Sequence, residues 1–238
     1  QITREDQDLL AYESHQKAAA AYARGFYADL VMPFRELSVD NILRADTNLA
    51  KLASLKPAFD KRSGKGTLTA GNSTNLSDGA SVALLSSEQW AQDNNKEIQA
   101  YLGDAQVAAV DFVAGEGLLM APAWAVAQLL KRNNLKLQDF DFYEIHEAFA
   151  AQVLCTLKAW ESEEFCKTKL GMDGALGSID RSKLNVVGSS LALGHPFAAT
   201  GARIIATAAK LLKEKGQGRV LISICTAGGM GVAAIVER

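Results

Sequence analysis

Cysteine is scarce in this 238-residue chain: there are three, an odd number, too few and too unevenly placed for a disulfide-stapled secreted fold. They fit a reducing compartment. No apolar run approaches the ~20 residues that a membrane span requires, and no basic-then-apolar signal segment opens the chain. Charge excess is absent too. Twenty-five basic and 27 acidic side chains leave a formal charge of -2, so neither nucleic acid nor an anionic membrane can be argued as a partner from net charge. No phosphate-loop pattern, no CxxC pair, no internal repeat and no low-complexity tract occurs. What remains is an ordinary globular composition, 48% hydrophobic and 22% charged, which excludes intrinsic disorder.

Residues 3–28 read as one alanine-rich helix, opened by a capping box of Thr3 and Asp6 and weakened in its last turn by Gly25. Residues 29–66 read as an irregular surface excursion, punctuated by Pro33, Pro57 and the run from Lys61 to Gly66. The apolar run 80–85 has the character of a strand buried on both faces. Residues 87–104 are polar and form a candidate domain boundary. Beyond them, strands at 107–113, 140–145 and 185–187 alternate with helices at 122–134, 147–160 and 198–215. Two final strands at 219–224 and 232–236 are close enough to form a hairpin. This alternation predicts an α/β fold: a mixed, mostly parallel sheet with helices on both faces.

Chemistry concentrates at the carboxyl ends of these strands, the edge where open α/β sheets bind ligands. His146 directly follows the strand 140–145. His195 lies in Gly194-His195-Pro196, read as a strand-to-helix connection. Cys225 ends the strand 219–224 and runs into Gly228, Gly229 and Gly231. The bland alternatives are a small buried hydrophobe for Cys225 and turn or cap positions for the two histidines. A zinc site made from the three is less well supported, because their spacings are long. His15 reads as a surface residue of the first helix, and Cys155 and Cys166 as structural. Gly228-Gly229-Met230-Gly231 is no dinucleotide fingerprint, since a strand follows it instead of a helix.

Three ordered motifs resemble the signatures of the thiolases. They are His146-Glu147-Ala148-Phe149-Ala150, the stretch from Asn185 through Gly194-His195-Pro196 to Arg203, and Cys225-Thr226-Ala227-Gly228-Gly229-Met230-Gly231. Residues 57–61 and 69–74 also look like that family. His146, where many thiolases carry Asn, is similar to members that act on 3-ketoacyl-CoA in fatty-acid oxidation complexes.

The resemblance implies thioester chemistry with coenzyme A as substrate and product and no tightly bound cofactor. By family match, His195 activates a nucleophilic cysteine, Cys225 is the acid/base at the acetyl α-carbon, and His146 serves the oxyanion site of His195. Ala227 and Gly228 would lend backbone N–H groups to a second oxyanion hole. Arg44, Thr74 and Phe149 are the positions implied to bind CoA. Lys61, Arg62 and Lys65 could face its phosphates or simply be solvated. Ala227 and Ser189-Ser190 depart from the pattern, standing where many thiolases have Gly. The family's nucleophilic cysteine is expected before Gln1, in a half-domain this chain does not hold.

The implied division is a loop-domain remnant over 1–66, the last part of the N-terminal domain with a linker over 67–104, and the C-terminal domain over 105–238. The expected partners are acyl-CoA substrates, further copies of a full-length chain in a dimer or tetramer, and a hydratase/dehydrogenase subunit. The expected setting is a bacterial cytoplasm or a mitochondrial matrix. A decarboxylating ketosynthase and a non-catalytic acyl-CoA-binding or assembly subunit are the competing readings.

Overall fold

A computed structural model describes residues 2–238. Helix α1 (Arg4–Ala23) begins at the predicted capping box: the Thr3 hydroxyl accepts from the Asp6 N–H, and the Asp6 carboxylate accepts from the Thr3 N–H. It ends earlier than expected, because Gly25 takes φ +78 and turns the chain away. Its buried stripe runs Gln7, Ala11, Ser14, Ala18 and Ala21, at helical spacing but small and polar. That composition lets backbone approach closely. A Cβ on Gly188 would fall 2.5 Å from that of Ala18.

The segment 29–66 is irregular apart from the short α2 (Leu49–Ala53), and the polar stretch after it holds α3 (Glu88–Asp93). The run 80–85 is not a strand. Val82 is 89% exposed and Leu84 71%, and although the Ser81 hydroxyl donates to the Ala199 carbonyl, the run pairs with no strand among the described residues. An apolar run alone does not define a strand; a hydrogen-bonding neighbour does.

The sheet has four strands: β1 (Tyr101–Ala109), β2 (Phe142–Ile145), β3 (Arg219–Thr226) and β4 (Met230–Glu237), in the order β1-β4-β3-β2. It is mixed, as expected, but its predicted parallel majority is not found. Only β2 and β3 run parallel, and β4 is antiparallel to both β3 and β1. The cause is the short connection Ala227-Gly228-Gly229, with φ of +80 and +74 at the two glycines, which folds β4 straight back along β3. The expected third strand at 185–187 is also absent. Leu184 forms one isolated parallel bridge to Tyr143, and Asn185 at φ +46 then breaks the extension.

Helices cover both faces. Leu221, Ala233, Ile235, Tyr143 and Ile145 point toward α4 (Ala121–Asn133) and α5 (Ala150–Glu161), around the fully buried Trp160. Val220, Ile222, Ala234 and Val236, the alternate positions, meet Ile204, Ala208 and Leu212 of α8 (Thr200–Lys215). Gly231 lets β4 lie against the start of α4, where a Cβ would sit 2.5 Å from the Pro122 nitrogen. The remaining helices, α6 (Glu163–Thr168) and α7 (Ser190–Leu193), are short. Among the described residues no helix is long and apolar enough to cross a membrane.

Candidate active site

His146 continues β2 by one residue, donating its backbone N–H to the Ser223 carbonyl at 2.9 Å. The next residues leave the sheet extended; Phe149 has φ -143 and ψ 139, so α5 starts at Ala150 and not at 147 as expected. A strap from residues 67–74 holds this loop. Thr74 donates its N–H to the Ala148 carbonyl at 3.0 Å, Ala150 donates to the Asn72 carbonyl at 2.9 Å, and Ser73 bridges to Phe149. Asn72 is anchored in turn, donating to Asp8 at 2.9 Å and accepting from the Thr69 N–H.

His195 follows α7, not a strand, and reaches the site through the loop leading to α8. Its ring lies beside that of His146, with centroids 4.2 Å apart. The two imidazoles rest on different hydroxyls. Nδ1 of buried His146 is 2.7 Å from Ser190 Oγ, and Nδ1 of half-buried His195 is 2.6 Å from Thr200 Oγ1. Thr200 also lies 3.4 Å from the Pro196 carbonyl, so its hydroxyl can donate there while accepting from His195. Nε2 of His146 is buried and has no partner among the described residues. Burial lowers both histidine pKa values, with the Arg203 guanidinium acting in the same direction on each and His195 adding to the effect on His146.

Cys225 is the second-last residue of β3, on the same sheet edge, and is 4% exposed. Burial pushes its thiol up to about 12, only partly countered by backbone N–H groups, including that of Ala148. This thiol is protonated at neutral pH. Cys155 is likewise raised by burial, and Cys166 is buried against the carbonyls of Ala159 and Trp160. Neither Cys225 nor Cys155 is shifted toward the thiolate. Among the described residues no group of three His, Cys, Asp or Glu side chains is placed to hold a metal ion.

Ala227 and Gly228 are exposed in the turn after Cys225. Ala227 is not among the positive-φ residues, so replacing a glycine there costs no backbone strain. Ser189 is extended, at φ -145, and needs no glycine either.

The implied CoA positions come from three separate loops. Thr74 and Phe149 lie on the strap and loop just described, and Phe149 sets its edge against Phe59 at 5.6 Å. Arg44 is exposed, and its guanidinium caps the carbonyls of Asn41 and Leu43. Its loop still reaches the site: Ile42 packs where a Cβ on Gly194 would lie, 2.8 Å from Ile42 Cδ1. Lys61, Arg62 and Lys65 are exposed. An open cleft of about 500 Å³ lies between residues 76–79 and His195, Pro196 and Phe197, and gives His195 access to solvent-borne ligands.

Sequence reasoning missed the polar groups beneath the histidines. Arg203 donates from Nη2 to Ser190 Oγ at 2.9 Å. Glu144, wholly buried, is pushed up to about 8 by burial against the opposing pull of Arg203. Glu147, also buried, accepts from Ser14 at 2.7 Å, Asn185 at 2.7 Å and the Leu191 N–H at 3.2 Å. A carboxylate inside the apolar strand run 140–145 was the available signal for Glu144. His15 was misjudged as a surface residue. It is 6% exposed, and its Nδ1 accepts from the Arg44 N–H.

A mixed α/β fold here brings two apposed imidazoles and a cysteine that runs into a glycine turn to the carboxyl ends of neighbouring strands. The family follows from the comparisons. The thiolase N-terminal domain model matches residues 1–89 and the thiolase C-terminal domain model matches residues 96–238; the chain belongs to the thiolase family. It is 46% identical to a 3-ketoacyl-CoA thiolase of Serratia proteamaculans and 45% identical to one of Enterobacter, over 99% of this chain and 55% of each relative. The crystal structure of the Bacillus anthracis acetyl-CoA acetyltransferase superposes with a TM-score of 0.80 at 37% identity, covering 99% of this chain and 56% of that one. The chain therefore spans about half the length of these relatives.

Proposed function

We propose that this chain carries the acid/base half of the active site of an acetyl-CoA C-acyltransferase. The whole enzyme would cleave 3-ketoacyl-CoA with free CoA to acetyl-CoA and a shortened acyl-CoA, or run the reverse Claisen condensation. The observation that carries this reading is the apposition of His146 and His195, 4.2 Å apart, at the sheet edge that Cys225 also reaches.

In the cleaving direction a cysteine thiolate attacks the ketone carbon and the bond to the acetyl α-carbon breaks. The departing acetyl-CoA carbanion takes a proton, and CoA then removes the acyl group from the enzyme. A thiol held protonated near pKa 12 suits Cys225 to deliver that proton and unsuits it as the attacking thiolate. A hydroxyl on Nδ1 of His195 that can accept from it leaves Nε2 bare, as a base for the nucleophile. His146 supplies hydrogen-bond donation to the thioester oxygen on which the carbanion's charge develops. Ala227 and Gly228 contribute backbone N–H groups to the second oxyanion. Thr74, Phe149 and Arg44 are proposed to border bound CoA, as substrate and not as a resident cofactor.

The nucleophile is proposed to lie outside residues 1–238, in a longer polypeptide that forms dimers or tetramers and associates with a hydratase/dehydrogenase subunit. The domain division at 66/67 and 104/105 is part of the same proposal. The bacterial relatives favour a bacterial setting over a mitochondrial one. The test is thiolysis of acetoacetyl-CoA. The purified 238-residue chain is expected to show none. Robust turnover by it would overturn the division of labour, and absence of turnover in a longer polypeptide containing it would overturn the activity.

A further inference from the structure

The environment of His146 is determined tightly enough to fix which ring nitrogen holds the proton. Ser190 Oγ has two neighbours, His146 Nδ1 at 2.7 Å and Arg203 Nη2 at 2.9 Å. Ser190 is fully buried at the start of α7, and its side chain has no other partner among the described residues. A guanidinium can only donate, so the Arg203 bond occupies a lone pair of Ser190. The serine hydroxyl proton then needs an acceptor, and the acceptor in place is Nδ1 of His146. An accepting Nδ1 carries no proton. In a neutral imidazole the proton is therefore on Nε2, the one buried polar atom of that side chain left without a partner.

The reverse arrangement, with Nδ1–H donating to Ser190, would leave the buried serine proton without an acceptor. An unmet buried hydroxyl costs on its own account, and it would add to the unmet Nε2.

We infer that Ser190, held by Arg203, is a positioning residue that locks His146 as the Nε2–H tautomer and presents that N–H to the site shared with His195. This inference rests on the thiolase reading only for what the N–H is aimed at; the tautomer itself follows from the hydrogen bonds. It assigns a task to a buried serine to which the sequence reading gave none. It also separates the two imidazoles by role: His146 as a donor, His195 with Thr200 as its own hydroxyl partner.

The test is long-range proton–nitrogen NMR of the 238-residue chain labelled with 15N-histidine at pH 7.5. With only three histidines, His15→Gln and His195→Gln complete the assignment. The expected wild-type pattern is a single neutral tautomer at His146, with unprotonated Nδ1 and protonated Nε2. Ser190→Ala is expected to shift that ring to a mixture of tautomers, with Nδ1 moving toward its protonated chemical shift; Ser190→Thr, which keeps the hydroxyl, is expected to restore the single pattern. A wild-type Nδ1–H pattern overturns the inference without any variant having to fold. So does a Ser190→Ala spectrum that is dispersed, and hence folded, yet unchanged at His146. Neither reading depends on turnover, so a failure of the proposed activity and a failure of the tautomer are told apart.

Discussion

His146 and His195 present their rings to each other at 4.2 Å, and a single guanidinium, that of Arg203, disfavours the charged form of both. Two imidazolium ions so close would repel, and burial already opposes each. The pair therefore works as two neutral rings at neutral pH, one free to donate and one free to accept. Removing the common cation should relieve both. Arg203→Gln is expected to raise the pKa of both His195 and His146, because the cation that disfavours their charged forms is gone while burial stays. Proton NMR titration of the ring resonances reads both values, and an unmoved His195 would show that Arg203 does not act on it.

Cys225 should be chemically quiet in the native chain. A thiol near pKa 12 is ionised roughly a thousandfold less than an ordinary cysteine at pH 7.5, and burial restricts the approach of a reagent further. Iodoacetamide followed by peptide mass spectrometry should find Cys225 unmodified in folded protein and fully modified in urea. Rapid native alkylation would mean that the thiol is activated, and would favour a nucleophilic role. In a thiolysis-competent polypeptide, Cys225→Ala is expected to lower kcat by about 10²–10⁴, the usual contribution of a positioned acid or base.

Glu147 joins three parts of the chain: α1 through Ser14, the 185–190 loop through Asn185, and α7 through the Leu191 N–H. Glu147→Ala leaves these donors buried without an acceptor. A loss of roughly 3–5 kcal/mol in unfolding free energy is expected, by analogy with breaking other buried charged hydrogen-bond sets. Ser14→Ala removes the bond to Glu147 and the acceptor of the Ser189 N–H, and should cost less, about 1–3 kcal/mol. Urea denaturation of the two variants checks the ordering, which would be reversed if the α1 contact dominated.

The catalytic candidates could be read from the sequence because glycine, proline and charge mark the ends of regular elements, and the sheet edge collects them. The capping box of Thr3 and Asp6 was legible for a similar reason, being local. What escaped was set by tertiary neighbours. Strand direction depended on a three-residue turn, and the run 80–85 looked like a strand although it has no partner strand. His15 sits on an alanine-rich helix whose buried face is nearly as polar as its exposed one, so periodicity could not place it. Ser190 read as a lost glycine; its use became visible only with Arg203 beside it, 13 residues on in the chain.

Acid and base should destabilise this chain through different residues. Burial lowers the pKa of His15 to about 4, with Arg44 contributing. Between pH 6.5 and about 4 the unfolded chain takes up a proton that the folded chain refuses, so stability from this site is lost as pH falls through that window. Glu144 has the opposite sign. Its folded pKa of about 8 lies above the ordinary 4.5, so the folded chain holds the extra proton between those values and stability declines as pH rises through them. Glu144→Gln keeps the shape, removes the titration, and should flatten the decline on the alkaline side while leaving the acid limb intact. His15→Gln should flatten the acid limb alone. Thermal midpoints at pH 4.5, 6.5 and 8.5 separate the two. If both variants changed the same limb, the assignment of the two groups would be wrong.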